Sequence, residues 1–200
     1  MNILVAGATG KTGTRLMEAL VSDGHSPIAL VRESSDTSSL PQESQQRMGD
    51  LADLQDGVCD GCEAVVFAAG SGGDTSADMT DKIDRDGAIS LIDHAVKAGV
   101  SRFVMLSSVG TENPDPSTDM GHYLQAKHDA DEYLKGSALT YAIVRPVALT
   151  DEDGTGNMLF GNDVDPTAKA ARGDVARVLA DAVTSDEWVD KSLLMQSAPT

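Results

Sequence analysis

The sequence predicts an α/β domain with a doubly wound parallel sheet, helices on both faces and a small C-terminal cap. Short apolar runs alternate along the chain with segments in which apolar residues recur at helical spacing. One run, residues 64–69, is apolar throughout, as expected of a strand that is buried on both faces. A chain of 200 residues can bury a sizeable core in one domain. We therefore expect residues 1–200 to form a single domain, with cap elements in about 147–170.

The first half of the chain supplies four of the expected strands, at residues 3–6, 27–31, 47–51 (the end of a third strand) and 64–69. A helical stripe follows the first strand at Leu16, Leu20 and Val21, and a second one runs from Ile83 to Val96. Between them, residues 34–43 are predicted as a loop or a short helix, and residues 51–58 as a brief helix.

The second half continues the same alternation. Strands are predicted at residues 102–106 and 139–144, helices at 122–134 and 174–183, and a last edge strand at 193–195. Three segments, 71–80, 112–121 and 150–161, are expected to be loops that line a substrate pocket.

Three glycines follow the first strand directly, at Gly7, Gly10 and Gly13. A strand, a glycine turn and a helix form the Rossmann-type arrangement, in which backbone N–H groups at a helix N-terminus hold a pyrophosphate. The spacing is G-x-x-G-x-x-G and differs from the common G-x-G-x-x-G. The pattern favours a nucleotide site over a glycine-rich turn without a ligand.

The second strand ends at Arg32, about 20 residues after the glycines, where this fold contacts the adenosine ribose. An acidic residue there would accept a hydrogen bond from the ribose 2′-hydroxyl, whereas an arginine suits a 2′-phosphate. Arg32 comes first and Glu33 second, so NADP(H) is favoured over NAD(H). The alternative is a solvated arginine at a strand end.

Tyr123 and Lys127 form a Y-x-x-x-K pattern about one helical turn apart, so their side chains share a helix face. A phenol titrates near 10, and a neighbouring ammonium favours its ionised form, which allows proton exchange with a carbonyl or an alcohol. Ser108 or Ser107, at the end of the preceding strand, could hold the same substrate oxygen.

The chain carries 32 acidic and 15 basic residues, a formal net charge of −17. This charge argues against nucleic acid and anionic membranes as partners, because both would be repelled. The acid excess is either a surface adapted to high salt, which we favour, or incidental. No apolar run approaches the roughly 18 residues of a membrane span, and no signal peptide precedes the first strand, so we expect a cytoplasmic protein. Its oligomeric state is expected to be a monomer or a homodimer.

Cys59 and Cys62 form a lone C-x-x-C pair without a second pair or a nearby histidine, so no metal site is predicted. We interpret the pair as two small apolar residues that enter a strand. A reversible disulfide is the alternative.

These patterns together resemble the atypical short-chain dehydrogenases/reductases, in particular the compact NAD(P)H-binding proteins related to sugar epimerases and flavin reductases. The segments that carry the resemblance are GATGKTG, VR at 31–32, GDL at 49–51, VVFAAG at 65–70, DGA at 86–88, RFVMLSS at 102–108, YLQAK at 123–127 and YAIVRP at 141–146. They cover essentially the whole chain.

The resemblance implies a catalytic trio of Ser108, Tyr123 and Lys127. It also implies a set of cofactor-binding residues: Gly7, Thr9, Gly10, Lys11, Thr12 and Gly13 at the pyrophosphate, Arg32 at the ribose phosphate, Asp50 and Leu51 at the adenine, Ala68, Ala69 and Gly70 at the middle, and Ser107, Lys127 and Pro146 near the nicotinamide end.

The function expected from the residues and the resemblance is NADP(H)-dependent reduction or oxidation of a small carbonyl or alcohol. Flavin or quinone reduction, in which the tyrosine is dispensable, is a second candidate. A third candidate is a non-catalytic protein that senses NADPH. Nucleotide-sugar epimerase chemistry is a fourth, and the roughly 50 residues that follow Pro146 argue against it because epimerases carry a larger C-terminal substrate domain.

Overall fold

The structure is a computed structural model that describes residues 1–70 and 76–199. Its strands are β1 (Asn2–Ala6), β2 (Ser26–Val31), β3 (Gln45–Met48), β4 (Ala64–Phe67), β5 (Arg102–Leu106), β6 (Thr140–Pro146), β7 (Ala148–Thr150), β8 (Met158–Phe160), β9 (Lys169–Ala171) and β10 (Lys191–Ser197). Its α-helices are α1 (Lys11–Ser22), α2 (Ala77–Thr80), α3 (Ala88–Ala98), α4 (Gly121–Lys135) and α5 (Arg172–Thr184). A π-helical segment, Asp81–Gly87, joins α2 to α3, and 3₁₀ turns lie at Gly161–Asp163 and Asp186–Trp188.

The main sheet has eight strands in the order β3-β2-β1-β4-β5-β6-β10-β8, and β7 pairs with β9 in a separate small sheet. Neighbouring strands of the main sheet run parallel, except that β8 is antiparallel to β10. The chain winds outward from β1 to β3, returns to β4 and then winds outward in the opposite direction. The strand order therefore reverses between β1 and β4, which opens a crevice at their carboxyl ends.

Each face of the sheet is covered by its own apolar core. In β1, Ile3 and Val5 point to one face and Leu4 and Ala6 to the other, as the two-residue period of a strand requires. Leu16 and Leu20 of α1 and Val175 and Leu179 of α5 pack on the first face. Leu91 and Ile92 of α3 and Leu134 of α4 pack on the second face. These two layers confirm the predicted fold class. Within the described residues, every helix is too short or too polar to cross a membrane.

Two predicted elements are wrong. Residues 51–58 form turns instead of a brief helix, because the Asp50 carboxylate accepts the Ala52 N–H and Gly57 takes a left-handed φ of +85°. The strand predicted at 193–195 is longer, as β10, and it is not an edge strand, since β8 pairs with its outer side. The loop predicted at 150–161 is also wrong in part, since β8 and the last residue of β7 lie within it.

The structure also decides between alternatives that the sequence leaves open in the first half of the chain. Residues 34–43 form a loop with turns, not a short helix, and the third strand ends at Met48. Cys59 and Cys62 are buried free thiols, and burial raises the pKa of Cys59 to about 12. Of the predicted loop at 71–80, residues 71–75 lie outside the described part of the chain, and α2 occupies its end.

Two of the three glycines are required by close packing. Gly7 has φ +83°, and a Cβ there would lie 2.6 Å from the backbone of Ala68 and Ala69. A Cβ on Gly13 would lie 1.9 Å from the carbonyl oxygen of Gly7. The absence of these side chains lets α1 pack on the turn after β1 while the turn contacts the end of β4.

We expect Gly13→Ala to destabilise the protein by about 3 kcal/mol, because the new methyl group can be accommodated only by shifting the backbone of the turn. Gly136→Ala is the matched control. Gly136 has a right-handed φ of −81°, and its Cβ would meet the nearest atom at an ordinary 3.5 Å. Urea unfolding of both variants measures the difference, and equal midpoints would contradict the packing argument.

Candidate functional site

The crevice at the carboxyl ends of β1 and β4 is part of a cavity of about 1280 Å³. It is lined by the turn after β1, the ends of β4, β5 and β6, one face of α4, and the cap segments. With the exception of Gly13, every predicted site residue lines this cavity. Gly13 is buried beneath the turn and supports the turn by packing.

The glycine turn brings the N-terminus of α1 to the wall of the cavity. The Gly10 N–H donates to the Gly7 carbonyl at 3.0 Å, and Gly10 is the N-cap of α1 without a side-chain hydrogen bond. No acidic residue occupies the first turn of α1, so its N–H groups and the positive end of the helix dipole are available to an anion. Together with the missing Cβ of Gly7, this geometry fits the diphosphate of a dinucleotide.

Two cations stand beside this turn and share one carboxylate. Lys11 and Arg172 both line the cavity, and both form ion pairs with Asp151, the latter at 2.8 Å. Arg172 also donates to the Thr12 hydroxyl at 3.1 Å, which places its guanidinium at the start of α1. Lys11 and Arg172 lower the pKa of Asp151, so this carboxylate is charged at neutral pH. These ion pairs link the cap to the glycine turn.

The end of the cavity next to β2 holds the predicted adenosine contacts. Arg32 is exposed there, and its backbone N–H donates to the Ser35 hydroxyl oxygen at 3.0 Å. Within the described residues, its guanidinium takes part in no salt bridge. Asp50 is exposed and Leu51 half-buried on the facing wall. Ala68, Ala69 and Gly70 continue this wall from the end of β4 towards α4.

Tyr123 and Lys127 lie one turn apart on α4, and both line the cavity. The Lys127 Nζ stands 5.4 Å from the centroid of the Tyr123 ring, in cation–π geometry. Ser108 is half-buried at the same wall. The buried Pro146 lies opposite, and its carbonyl accepts the Val109 N–H at 3.0 Å, so the ends of β5 and β6 are fixed to one another.

The Lys127 ammonium is almost fully buried and is held from two sides. It donates to the Leu106 carbonyl at 3.3 Å and lies 3.3 Å from a carboxylate oxygen of Asp84. Burial opposes the charged form, but the pKa of Lys127 is raised because Tyr123, Asp84 and Asp131 outweigh that penalty. Lys127 is therefore a permanent cation at neutral pH.

A second buried ion pair lies beneath the first. Arg145 donates two hydrogen bonds to Asp131, at 3.2 and 3.0 Å, and Asp131 also accepts from the Ser107 hydroxyl at 2.8 Å. Burial raises the pKa of Asp131, while Arg145 and Ser107 favour its charged form. Ser107 thus lines the cavity but directs its hydroxyl to this pair, which leaves Ser108 as the strand-end hydroxyl that is free of that network.

Sequence reasoning missed five charged residues of this site, one of which is Asp84, the buried partner of Lys127. Asp131 follows Lys127 by one helical turn, and Arg145 precedes Pro146 in a quoted motif, so both carried a local signal. Asp151 and Arg172 had none, because they meet Lys11 and Thr12 only after folding. Among the described residues, no group of three or more His, Cys, Asp or Glu side chains is arranged to hold a metal ion.

Comparisons with known proteins agree with this geometry. A family model described as NAD(P)H-binding matches residues 7–186. The uncharacterized sugar epimerase YhfK of Bacillus subtilis is 36% identical over 188 aligned residues, which cover 90% of this chain and 86% of YhfK.

Two solved structures are similar over the whole chain. A Bacillus halodurans protein named after the NAD-dependent epimerases/dehydratases superposes with a TM-score of 0.93 at 39% identity, covering 100% of this chain and 95% of its own. The oxidoreductase YlbE of Lactococcus lactis superposes with a TM-score of 0.86 at 29% identity, covering 100% and 92%.

We expect Asp151→Asn to tighten NADPH binding about fivefold, because Lys11 and Arg172 lose a competing carboxylate next to the expected diphosphate. Asp153→Asn is the matched control: it removes a charge from the same loop, but Asp153 pairs with Arg15, which does not line the cavity. Fluorescence titration with NADPH measures both dissociation constants. Weaker binding by Asp151→Asn than by Asp153→Asn would contradict competition at the turn.

Proposed function

The chain belongs to this NAD(P)H-binding family, and from that premise we propose that it reduces a small carbonyl compound with NADPH. Membership confirms the resemblance to the epimerase-like and flavin-reductase-like short-chain dehydrogenases/reductases and makes the protein an oxidoreductase by family. The observation that carries the proposal is the pair of Tyr123 and Lys127, which share one cavity with the glycine turn.

Each side chain has a definite role in this proposal. The turn after β1 would hold the dinucleotide, which would supply the hydride for the carbonyl carbon. Tyr123 donates its hydroxyl proton to the carbonyl oxygen, so one hydride and one proton convert the carbonyl into an alcohol. The Ser108 hydroxyl binds the same oxygen and orients it. Lys127 places a buried positive charge beside the phenol while its own position is fixed by Asp84 and the Leu106 carbonyl.

The preference for NADPH rests on Arg32. Its guanidinium is exposed at the end of β2, on the cavity wall, where a ribose phosphate would accept hydrogen bonds from it.

The proposal extends to the location, oligomeric state and partners of the enzyme. We infer a cytoplasmic monomer or homodimer that acts on a small molecule and has neither nucleic acid nor a membrane as partner, since a charge of −17 repels both. Apart from the buried Asp84, Asp131 and Asp174, the described acidic side chains are half-buried or exposed. They suit a high-salt medium, in which screening lowers their mutual repulsion.

We expect Tyr123→Phe to lower kcat by about 10²- to 10⁴-fold, because the proton donor is lost, and to change NADPH affinity by less than about threefold. Tyr133→Phe is the matched control. Tyr133 lies on the same helix but outside the cavity, and its hydroxyl donates to Asp93 at 2.7 Å. Steady-state oxidation of NADPH and binding titrations separate the two effects. Turnover that survives Tyr123→Phe would favour flavin or quinone reduction, where the tyrosine is dispensable.

We expect Arg32→Ala to weaken NADPH binding about 10- to 100-fold and to leave NADH binding unchanged, because only NADPH carries the 2′-phosphate. Arg177→Ala is the control, since Arg177 is an exposed arginine that pairs with Asp23 away from the cavity. Thermal-shift titrations with both cofactors, repeated over a KCl series, measure the preference and its salt dependence. An equal loss of affinity for NADPH and NADH would rule out recognition of the 2′-phosphate by Arg32.

A further inference from the structure

One part of the cavity is apolar and open. It lies between α2, the first turns of α4 and the cap, and its lining side chains include Met79, Met120, Leu124, Leu149 and Pro166. We call this part the substrate end, because it adjoins Tyr123 on α4 and is built from segments other than the glycine turn and the β2 end. Met79, Met120 and Leu149 are 40%, 53% and 36% exposed. Large apolar side chains on the wall of a cavity, unlike those of a core, are available to a ligand.

The composition of the substrate end favours an adaptable apolar contact. Methionine has a flexible, polarizable side chain that packs against ligands of varied shape. Met79 lines the cavity from α2, Met120 from the N-cap position before α4, and Leu149 from the cap strand β7. A ligand placed there would be covered by hydrocarbon and thioether groups, which stabilise apolar surface and offer no donor to an anion.

Positive charge is confined to other parts of the cavity. Within the described residues, four Lys and Arg side chains line the cavity: Lys11, Arg32, Lys127 and Arg172. Arg32 stands at the end of β2, and Lys11 and Arg172 pair with Asp151 beside the glycine turn. Lys127 is buried against Asp84. Residues 71–75, SGGDT, contain no lysine or arginine in the sequence.

The titratable groups at the substrate end itself are acidic or already paired. Asp119 lines the cavity next to Met120 and is exposed. His122 also lines the cavity, but its Nε2 lies 3.0 Å from a carboxylate oxygen of Asp81. A phosphate, carboxylate or sulfonate on a substrate would therefore be desolvated against apolar groups and repelled by Asp119, without a cation to receive it.

We propose that the substrate is an apolar carbonyl compound without an anionic group, which excludes nucleotide sugars and flavin mononucleotide. This inference rests on the proposed reductase function and adds the substrate class to it. The reaction would balance with a bound nicotinamide cofactor as the reductant: it would supply the two electrons and the hydride of the new C–H bond, the C=O π bond would break, and Tyr123 would give its hydroxyl proton to the oxygen.

The test uses two aldehydes that share one ring system and differ at a single group, which is a neutral methyl ester in methyl 6-formyl-2-naphthoate and a charged carboxylate in the 6-formyl-2-naphthoate anion. Titration calorimetry with the protein loaded with NADP⁺ measures binding without turnover, and oxidation of NADPH measures kcat/KM. We expect the ester to bind and react at least about tenfold better than the anion.

A positive charge introduced at the substrate end should reduce the preference for the ester over the anion. Met120→Lys is expected to lower the ester-to-anion ratio of kcat/KM about fivefold, because it supplies the missing cation. Met48→Lys is the matched control, since Met48 is a comparably exposed methionine, at 62%, that does not line the cavity, and we expect an unchanged ratio. Comparing ratios between variants cancels the difference in intrinsic reactivity between the two aldehydes.

The outcomes separate this inference from the function on which it rests. If the ester binds and the anion does not, but neither is reduced, the reductase function fails and the assignment of an apolar, uncharged ligand stands. If the anion binds or reacts as well as the ester, or if neither binds, the assignment is overturned. Equal shifts of the ratio in Met120→Lys and Met48→Lys would overturn it as well.

Discussion

The ammonium of Lys127 is kept charged inside the protein, and the arrangement of the site follows from that constraint. An isolated buried ammonium costs several kcal/mol, so its position is tenable only where partners surround it. Three separate elements supply them: Asp84 from the π-helical segment, the Leu106 carbonyl from the end of β5, and the Tyr123 ring from α4. π-Helical segments are rare and concentrate at functional sites. Here the π-helical segment Asp81–Gly87 places the buried carboxylate of Asp84 next to the Lys127 ammonium.

The second buried pair, Asp131 and Arg145, explains why two adjacent serines have different environments. Successive side chains of an extended segment point in opposite directions, so Ser107 and Ser108 cannot both face the substrate. Ser107 donates to Asp131, which Arg145 also holds from β6. This network fixes the ends of β5 and β6 relative to α4. Hydrogen bonds from the Ser107 and Val109 N–H groups to β6 flank Ser108, so its backbone is anchored on both sides, as the proposed orientation of a substrate oxygen would require.

Short sequence motifs make the fold and part of the site predictable. The remaining site residues could not be predicted, because they depend on contacts between residues that are far apart in the chain. The glycine turn, Arg32, Tyr123 and Lys127 each belong to a motif that a few residues define. Asp84 and Asp151 belong to none, because their partners are distant in sequence and a single acidic residue in an acidic chain carries no signal. The sequence predicts a helix at 51–58 where the structure has turns, because the backbone N–H of Ala52 donates to the Asp50 carboxylate and this bond competes with helical hydrogen bonding. β8 has only three residues, which is too short for a period of two to be recognised.

The charge distribution reconciles an acidic protein with an anionic cofactor. A net charge of −17 repels an anionic nicotinamide dinucleotide at long range, but exposed charges more than about 8 Å away are largely screened at physiological ionic strength. Affinity must then come from groups that touch the phosphates. The first-turn N–H groups of α1, Lys11 and Arg172 lie together at the glycine turn, and their short-range contacts are much less sensitive to screening than the distant acids. Added salt therefore weakens the repulsion more than the attraction. An excess of surface acid is compatible with dinucleotide binding for this reason, provided that the cations remain gathered where the phosphates bind.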